Sequence, residues 1–99
     1  ENLVQVETHD GITAVGDMAF YRCKLLRQIN LRSAVEIGMW AFDGCENLES
    51  VKFGDNLETM RANAFDRCRS LKDLKLPSIA AIDEYTFCNC EAMTGIELS

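Results

Sequence analysis

Four cysteines recur at near-even spacing: Cys23, Cys45, Cys68 and Cys90, at intervals of 22, 23 and 22 residues. A fifth, Cys88, breaks the pattern, and His9 is the only histidine. Thiols and an imidazole are the side chains that hold soft metals, form disulfides or attack electrophiles. Each of these chemistries makes a geometric demand. Zinc ligands must converge on one point, whereas residues repeated along a stack are displaced by ~4.8 Å per step and point the same way. Disulfides between stacked neighbours are within reach, since bridged Cα atoms lie ~4.4–6.8 Å apart, but parallel Cβ bonds strain them. The column therefore reads as reduced thiols buried as small hydrophobes. Cys88 shares a variable column with Tyr21, Asp43 and Asp66, so it is expected to be more exposed and first to react. His9, in the turn "THDG", has no ligand or proton-transfer partner placed by the spacing and reads as a solvated turn residue. No Gly-rich phosphate loop and no Ser-His-Asp or paired-carboxylate arrangement stands out. No catalytic, cofactor-binding or metal-binding residue is assigned.

What must position the cysteines is a repeat. The stretches "AFYRCKLLRQINL", "AFDGCENLESVKF", "AFDRCRSLKDLKL" and "TFCNCEAMTGIEL" begin at Ala19, Ala41, Ala64 and Thr86. Periods of this length mark solenoids. Counting from Phe20, Phe42, Phe65 and Phe87, the sixth residue is Leu26, Leu48, Leu71 or Met93, and the ninth is Ile29, Val51, Leu74 or Ile96. The eleventh is Leu31, Phe53, Leu76 or Leu98. Five before each Phe stands Val15, Ile37, Met60 or Ile82, and eight before stands Ile12, Ala34, Leu57 or Ile79. One repeat cannot bury such a face alone; stacked copies share a continuous core.

The alternation at the ninth and eleventh positions predicts short strands near Gln5–Thr8, Gln28–Leu31, Ser50–Phe53, Asp73–Leu76 and Gly95–Leu98. Stacking in one direction makes the sheet parallel. Ala, Phe, Cys and Leu at steps of one and three suit a short helical turn of 3₁₀ character. The expected organisation is one segment over residues 1–99: a partial repeat at 1–11, then repeats at about 12–33, 34–56, 57–78 and 79–99.

The run V-G-x-x-A-F-x-x-C-x-x-L-x-x-I-x-L resembles the BspA-like leucine-rich repeat, and the likeness covers essentially the whole chain. Departures are modest: Gly16 and Gly38 give way to Arg61 and Asp83, and the proline after the strand survives only as Pro77. The resemblance implies an α/β-type right-handed solenoid, with short parallel strands on the concave side and short helical or 3₁₀ turns on the other. It also implies a surface or secreted protein engaged in adhesion or protein binding.

Bulk properties narrow the function classes. With 47% hydrophobic and 26% charged residues, the chain is expected to fold rather than stay disordered. A formal net charge of −6 repels phosphate backbones, which argues against nucleic-acid binding. No apolar run is long enough to insert into a membrane. The opening "ENLVQVETHDG" lacks both the basic start and the apolar stretch of a signal peptide, and without an initiator Met it reads as a mature or excised piece.

Charges also follow the period. Four residues after each Phe stand Lys24, Glu46, Arg69 and Glu91, with Glu1 ahead of them; seven after stand Arg27, Glu49 and Lys72, until Thr94 ends that series. The alternating signs predict self-pairing between coils at ~0.2–1 kcal/mol per exposed pair.

Two columns remain for a partner. Outward strand positions carry Gln28 and Asn30, Ser50 and Lys52, Asp73 and Lys75, a polar concave face without aromatics. Two before each Phe stand Met18, Trp40, Asn63 and Tyr85. Trp and Tyr there resemble interface anchors; the alternative is a ridge of partly buried side chains stacked on each other. The functional expectation is a non-catalytic module binding an unidentified protein ligand. The competing expectation is a structural spacer within a larger repeat protein. Unpaired strand edges at both ends of the stack also predict end-to-end self-association.

Overall fold

The computed structural model describes residues 5–7, 13–77, 81–83, 85–93 and 97–98. Glu1, His9, Ile12, Ile79, Thr94, Gly95 and Ile96 lie outside the described residues, with the expectations attached to them. The described residues form β1 (Gln5–Glu7), β2 (Ala14–Val15), β3 (Gln28–Leu31), β4 (Glu36–Ile37), β5 (Ser50–Phe53), β6 (Thr59–Met60), β7 (Asp73–Leu76), β8 (Ala81–Ile82) and β9 (Glu97–Leu98). Every pairing is parallel. One sheet has the order β1-β3-β5-β7-β9 and the other β2-β4-β6-β8. The chain thus winds in coils, each placing one strand in each sheet, as a leucine-rich-repeat solenoid does.

Register follows the repeat. Gln28 pairs with Ser50 and Ser50 with Asp73, while Ile29 pairs with Val51 and Val51 with Leu74. Strands β3, β5 and β7 fall where the alternation places them. At the two ends, Thr8, Gly95 and Ile96 of the expected strands fall outside the described residues. The second sheet has no counterpart in the sequence reading, because two-residue strands hold too little alternation to recognise. It is built on the column five before each Phe: Val15, Ile37 and Met60 are buried, whereas Ile82 is 40% exposed.

The connection from the second sheet back to the first is a row of turns. Within a coil, Ala19 N–H donates to Gly16 O (3.2 Å), Tyr21 N–H to Met18 O (3.2 Å) and Cys23 N–H to Phe20 O (3.1 Å). These are the i→i+3 bonds of β-turns, and the expected 3₁₀ character is not met in the first and third, whose third residues, Met18 and Arg22, are left-handed. They do not run on as a helix, because every second N–H bonds to the next coil instead. Met18 donates to Met39 O (2.9 Å), Phe20 to Ala41 O (2.7 Å) and Arg22 to Asp43 O (2.8 Å). Left-handed residues make the alternation possible. Met18, Trp40, Asn63 and Tyr85, two before each Phe, have φ of 56–61°. Arg22, Gly44, Arg67 and Asn89, two after, have φ of 56–78°. At Gly44 a Cβ would sit 3.0 Å from Arg22 Cγ, so glycine serves both the angle and the close approach.

The departures at Arg61 and Asp83 leave the ladder whole. Gly38, Arg61 and Asp83 donate their N–H groups to Val15, Ile37 and Met60 O at 2.8, 2.9 and 3.0 Å. Thr86, in the alanine column, is buried and donates its hydroxyl to Asp83 O at 2.7 Å.

The core lies between the sheets and the turn row. Phe20, Phe42, Phe65 and Phe87 stack in file, with centroids 5.1, 4.9 and 5.7 Å apart and planes within 10° of parallel. Leu26, Leu48 and Leu71 are buried beside them. Cys45, Cys68 and Cys90 each donate Sγ–H to the carbonyl of Phe20, Phe42 and Phe65 in the preceding coil, all at 3.1 Å.

Candidate functional site

The thiol column is part of the core. All five cysteines are free; Cys45 and Cys68 are buried, and Cys23, Cys88 and Cys90 are half-buried. Burial pushes the Cys45 thiol up to about 12 and that of Cys90 to about 11, and raises Cys68 further still. Such thiols are poor nucleophiles and poor metal ligands. Cys88 is no more open than Cys23 or Cys90 in broad class, which differs from its expected prominence. Its column is partly covered by the adjoining turns: Asp43, in the same position one coil-pair earlier, is only 3% exposed. Among the described residues no cluster of His, Cys, Asp or Glu is arranged to hold a metal ion, and no helix is long and apolar enough to cross a membrane.

The charge columns differ from each other. Arg27 Nη1 lies 3.3 Å from Glu49 Oε2, so the column seven after Phe closes one inter-coil ion pair. Among the described residues, none closes within 4 Å between Lys24, Glu46, Arg69 and Glu91. Alternating sign there gives facing charges without contact, because exposed long side chains gain little by giving up solvent and rotamer freedom. A pair the alternation does not mark joins Arg61 Nε to Glu36 Oε2 across the second sheet.

Outward positions of the five-stranded sheet are polar. Gln28, Lys52 and Lys75 are exposed, and Asn30 and Ser50 are half-buried. Asp73 is in register with Ser50, and Lys75 with Lys52. The strand pairing brings these residues onto one sheet, but no aromatic anchor stands among them.

The column two before Phe is different. Met18 is 47% exposed, Trp40 40% and Tyr85 65%. The ring stacks among the described residues run through the phenylalanines, and none includes Trp40 or Tyr85. A non-glycine residue in the left-handed region is uncommon, Asn excepted, and bulky side chains there are outliers. Asn63 fits, and its Nδ2 donates to Asp66 Oδ2 at 2.9 Å. Met, Trp and Tyr accept the backbone cost without gaining burial.

Beside this ridge lies a carboxylate the sequence reading does not single out. Asp43 Oδ1 is buried and has no well-formed hydrogen bond; Arg67 Nε stands 3.5 Å away. Burial raises its pKa from the ordinary carboxylate value, opposed chiefly by the Arg67 charge. Signals for the left-handed corners were present as Asn63, Gly44 and Asn89, scattered among bulkier residues in their columns.

The family model described as "BspA type Leucine rich repeat region (6 copies)" matches residues 1–99. No curated protein matches. Among solved structures, a leucine-rich repeat protein from Bacteroides capillosus ATCC 29799 superposes with a TM-score of 0.84 at 22% identity, over 96% of this chain and 76% of that one. The T. pallidum leucine-rich repeat protein gives 0.76 at 25%, over 97% and 59%. A leucine-rich cell surface protein from Faecalibacterium prausnitzii A2-165 gives 0.69 at 18%, over 100% and 36%. The chain thus spans about three-quarters, three-fifths and a third of these neighbours.

Proposed function

The chain belongs to the BspA-type leucine-rich repeat family, and on that premise we propose that it is a non-catalytic module binding a protein ligand through the ridge of Met18, Trp40 and Tyr85. Leucine-rich repeats typically mediate protein interaction. The observation that carries the choice of surface is the exposure of three bulky apolar side chains at one left-handed corner of separate coils. Folding gains little there and is charged the backbone strain, so the residues serve something outside the chain. Aromatic anchors of this kind dominate binding energy at protein interfaces. The polar outward face around Gln28, Asn30, Ser50, Lys52, Asp73 and Lys75 serves as the flank rather than the centre. We place the module on a cell-surface or secreted adhesive protein. That reading draws support from the family and from the surface protein among its structural neighbours.

A partner-free measurement tests the ridge. Trp40→Asn installs the residue that the third coil carries at this corner. If Trp40 is there for binding, the variant is as stable as the parent, or more so by up to ~1 kcal/mol from relief of left-handed strain. Ligands found by screening purified surface proteins should then be lost by Trp40→Asn/Tyr85→Asn and kept by Lys52→Glu/Lys75→Glu. A large fall in melting temperature for Trp40→Asn makes the ridge structural, and loss of ligand only in the lysine variant moves the site to the sheet.

End-to-end contact between solenoids is a second reading. It is favoured by Ile82, 40% exposed although its column-mates Ile37 and Met60 are buried. Sedimentation velocity across a concentration series tests it: a strictly monomeric chain rejects it.

A further inference from the structure

The surface beside the ridge indicates which partner chemistry fits it. Across the second sheet, Arg61 Nε donates to Glu36 Oε2. Its proton is held more firmly than usual, by the hydrogen bond to Glu36 first and then by the charges of Asp83 and Asp17. Glu36 is therefore in contact with the guanidinium, while Asp17 and Asp83 act on it only through their charges. Asp17 and Asp83 are exposed, and Asp17 spends one oxygen, Oδ1, on the N–H of Met39 at 2.9 Å. Arg61 neutralises one carboxylate, which leaves about two negative charges facing solvent next to an apolar strip. The chain as a whole carries −6, so no distant excess of cations offsets this local field.

Resting on the reading of the ridge as a binding surface, we infer that its partner is a protein segment in which apolar side chains are flanked by lysine or arginine, the apolar groups seated on Met18, Trp40 and Tyr85 and the cations over Asp17 and Asp83. Charge complementarity decides among occupants. A second copy of this chain docked ridge to ridge would bring Asp17, Glu36 and Asp83 of each molecule toward carboxylates of the other, and like charges suppress such pairing. An acidic ligand meets the same repulsion. Basic flanks gain long-range steering, and their attraction weakens with salt.

Trp40 is the only tryptophan, so its emission reports on this surface alone. The probes are two tryptophan-free synthetic peptides, one of leucine, serine and lysine and the other with glutamate in place of every lysine, titrated into the intact chain. The lysine peptide is expected to shift Trp40 emission saturably and the glutamate peptide to leave it unchanged. Asp17→Asn/Asp83→Asn, which keeps an acceptor for Met39 and leaves the ridge in place, is expected to weaken the lysine peptide by about fivefold, as two exposed charge pairs would. Raising salt on the unmodified chain is an independent check and should weaken it likewise. Equal response to both peptides, or a lysine-peptide affinity unmoved by salt and by the double variant, overturns the charge inference and leaves the ridge reading standing. If neither peptide moves Trp40, or the lysine peptide binds with Trp40 silent, the ridge reading is overturned and the inference with it.

Discussion

Cys45 Sγ lies 3.1 Å from the carbonyl oxygen of Phe20, and the same oxygen accepts the N–H of Cys23, also at 3.1 Å. The first bond ties neighbouring coils together and the second closes a turn within one coil. A carbonyl has two lone pairs, and the thiol satisfies the one the backbone leaves open. The same arrangement repeats at Cys68 with Phe42 and at Cys90 with Phe65. The position thus needs a residue that is small, apolar enough for the core and able to donate, which describes cysteine.

Cys45→Ala should cost ~1–2 kcal/mol, from the lost donor and a small cavity. Cys45→Ser should cost no more than Ala, since its hydroxyl can donate to the same carbonyl. Urea unfolding of both variants checks this. A serine variant clearly less stable than the alanine one means that packing, not the hydrogen bond, sets the residue.

Thiol reactivity should divide along the same lines. With Cys45 pushed up to about 12, its thiolate is scarce at neutral pH, and Cys68 is raised further. In the native chain, Cys88 should be alkylated before Cys90, whose thiol is engaged with Phe65 O. Cys45 and Cys68 should be labelled only at the rate of unfolding. Peptide mapping after timed iodoacetamide exposure reads the order, and rapid native labelling of Cys68 contradicts it.

Phe42 is buried between two stacked neighbours, whereas Phe87 is only half-buried. Phe42→Ala should therefore destabilise by ~3–5 kcal/mol, and Phe87→Ala by distinctly less. Equal losses at the two sites, measured by chemical denaturation, would show that the file of rings carries no gradient of burial.

Asp43 should shape the acid limb of stability. Its folded pKa is raised by burial, so the folded chain holds that proton more tightly than the unfolded chain. The contribution is fully present below the unfolded carboxylate value of ~3.9 and is lost as pH rises through the raised folded value. Asp43→Asn removes this part of the slope. Arg67→Ala, which takes away the cation 3.5 Å from Oδ1, should steepen it. Denaturation midpoints between acid and neutral pH measure both, and an unchanged slope in Asp43→Asn rejects the assignment.

Surface charge reversal should follow contact rather than alternation. Arg27→Glu opposes Glu49 directly and should lose ~0.2–1 kcal/mol at low salt, less at 1 M where the Debye length is ~3 Å. Glu46→Lys, whose column closes no ion pair among the described residues, should be near neutral at every salt concentration. A larger loss for Glu46→Lys than for Arg27→Glu would show that the facing charges couple without touching.

The period alone determined the coil, the parallel pairing and the core. Identical columns 22 or 23 residues apart can bury their apolar faces only by stacking in register, so Ile29 must meet Val51, and Phe42 must lie between Phe20 and Phe65. Tertiary structure decided the rest. The second sheet rests on pairs such as Glu36–Ile37, too short to show a pattern and held by hydrogen bonds to neighbouring coils. Arg27 reaches Glu49 while Lys24 does not close on Glu46, because contact depends on rotamers and solvent as well as on sign. Trp40 stands in the light rather than in the core because its backbone is left-handed, an angle imposed by the turn row when every second N–H bonds to the next coil. No residue type announces that angle when tryptophan occupies it, since the bonds that impose it come from a coil some twenty residues away.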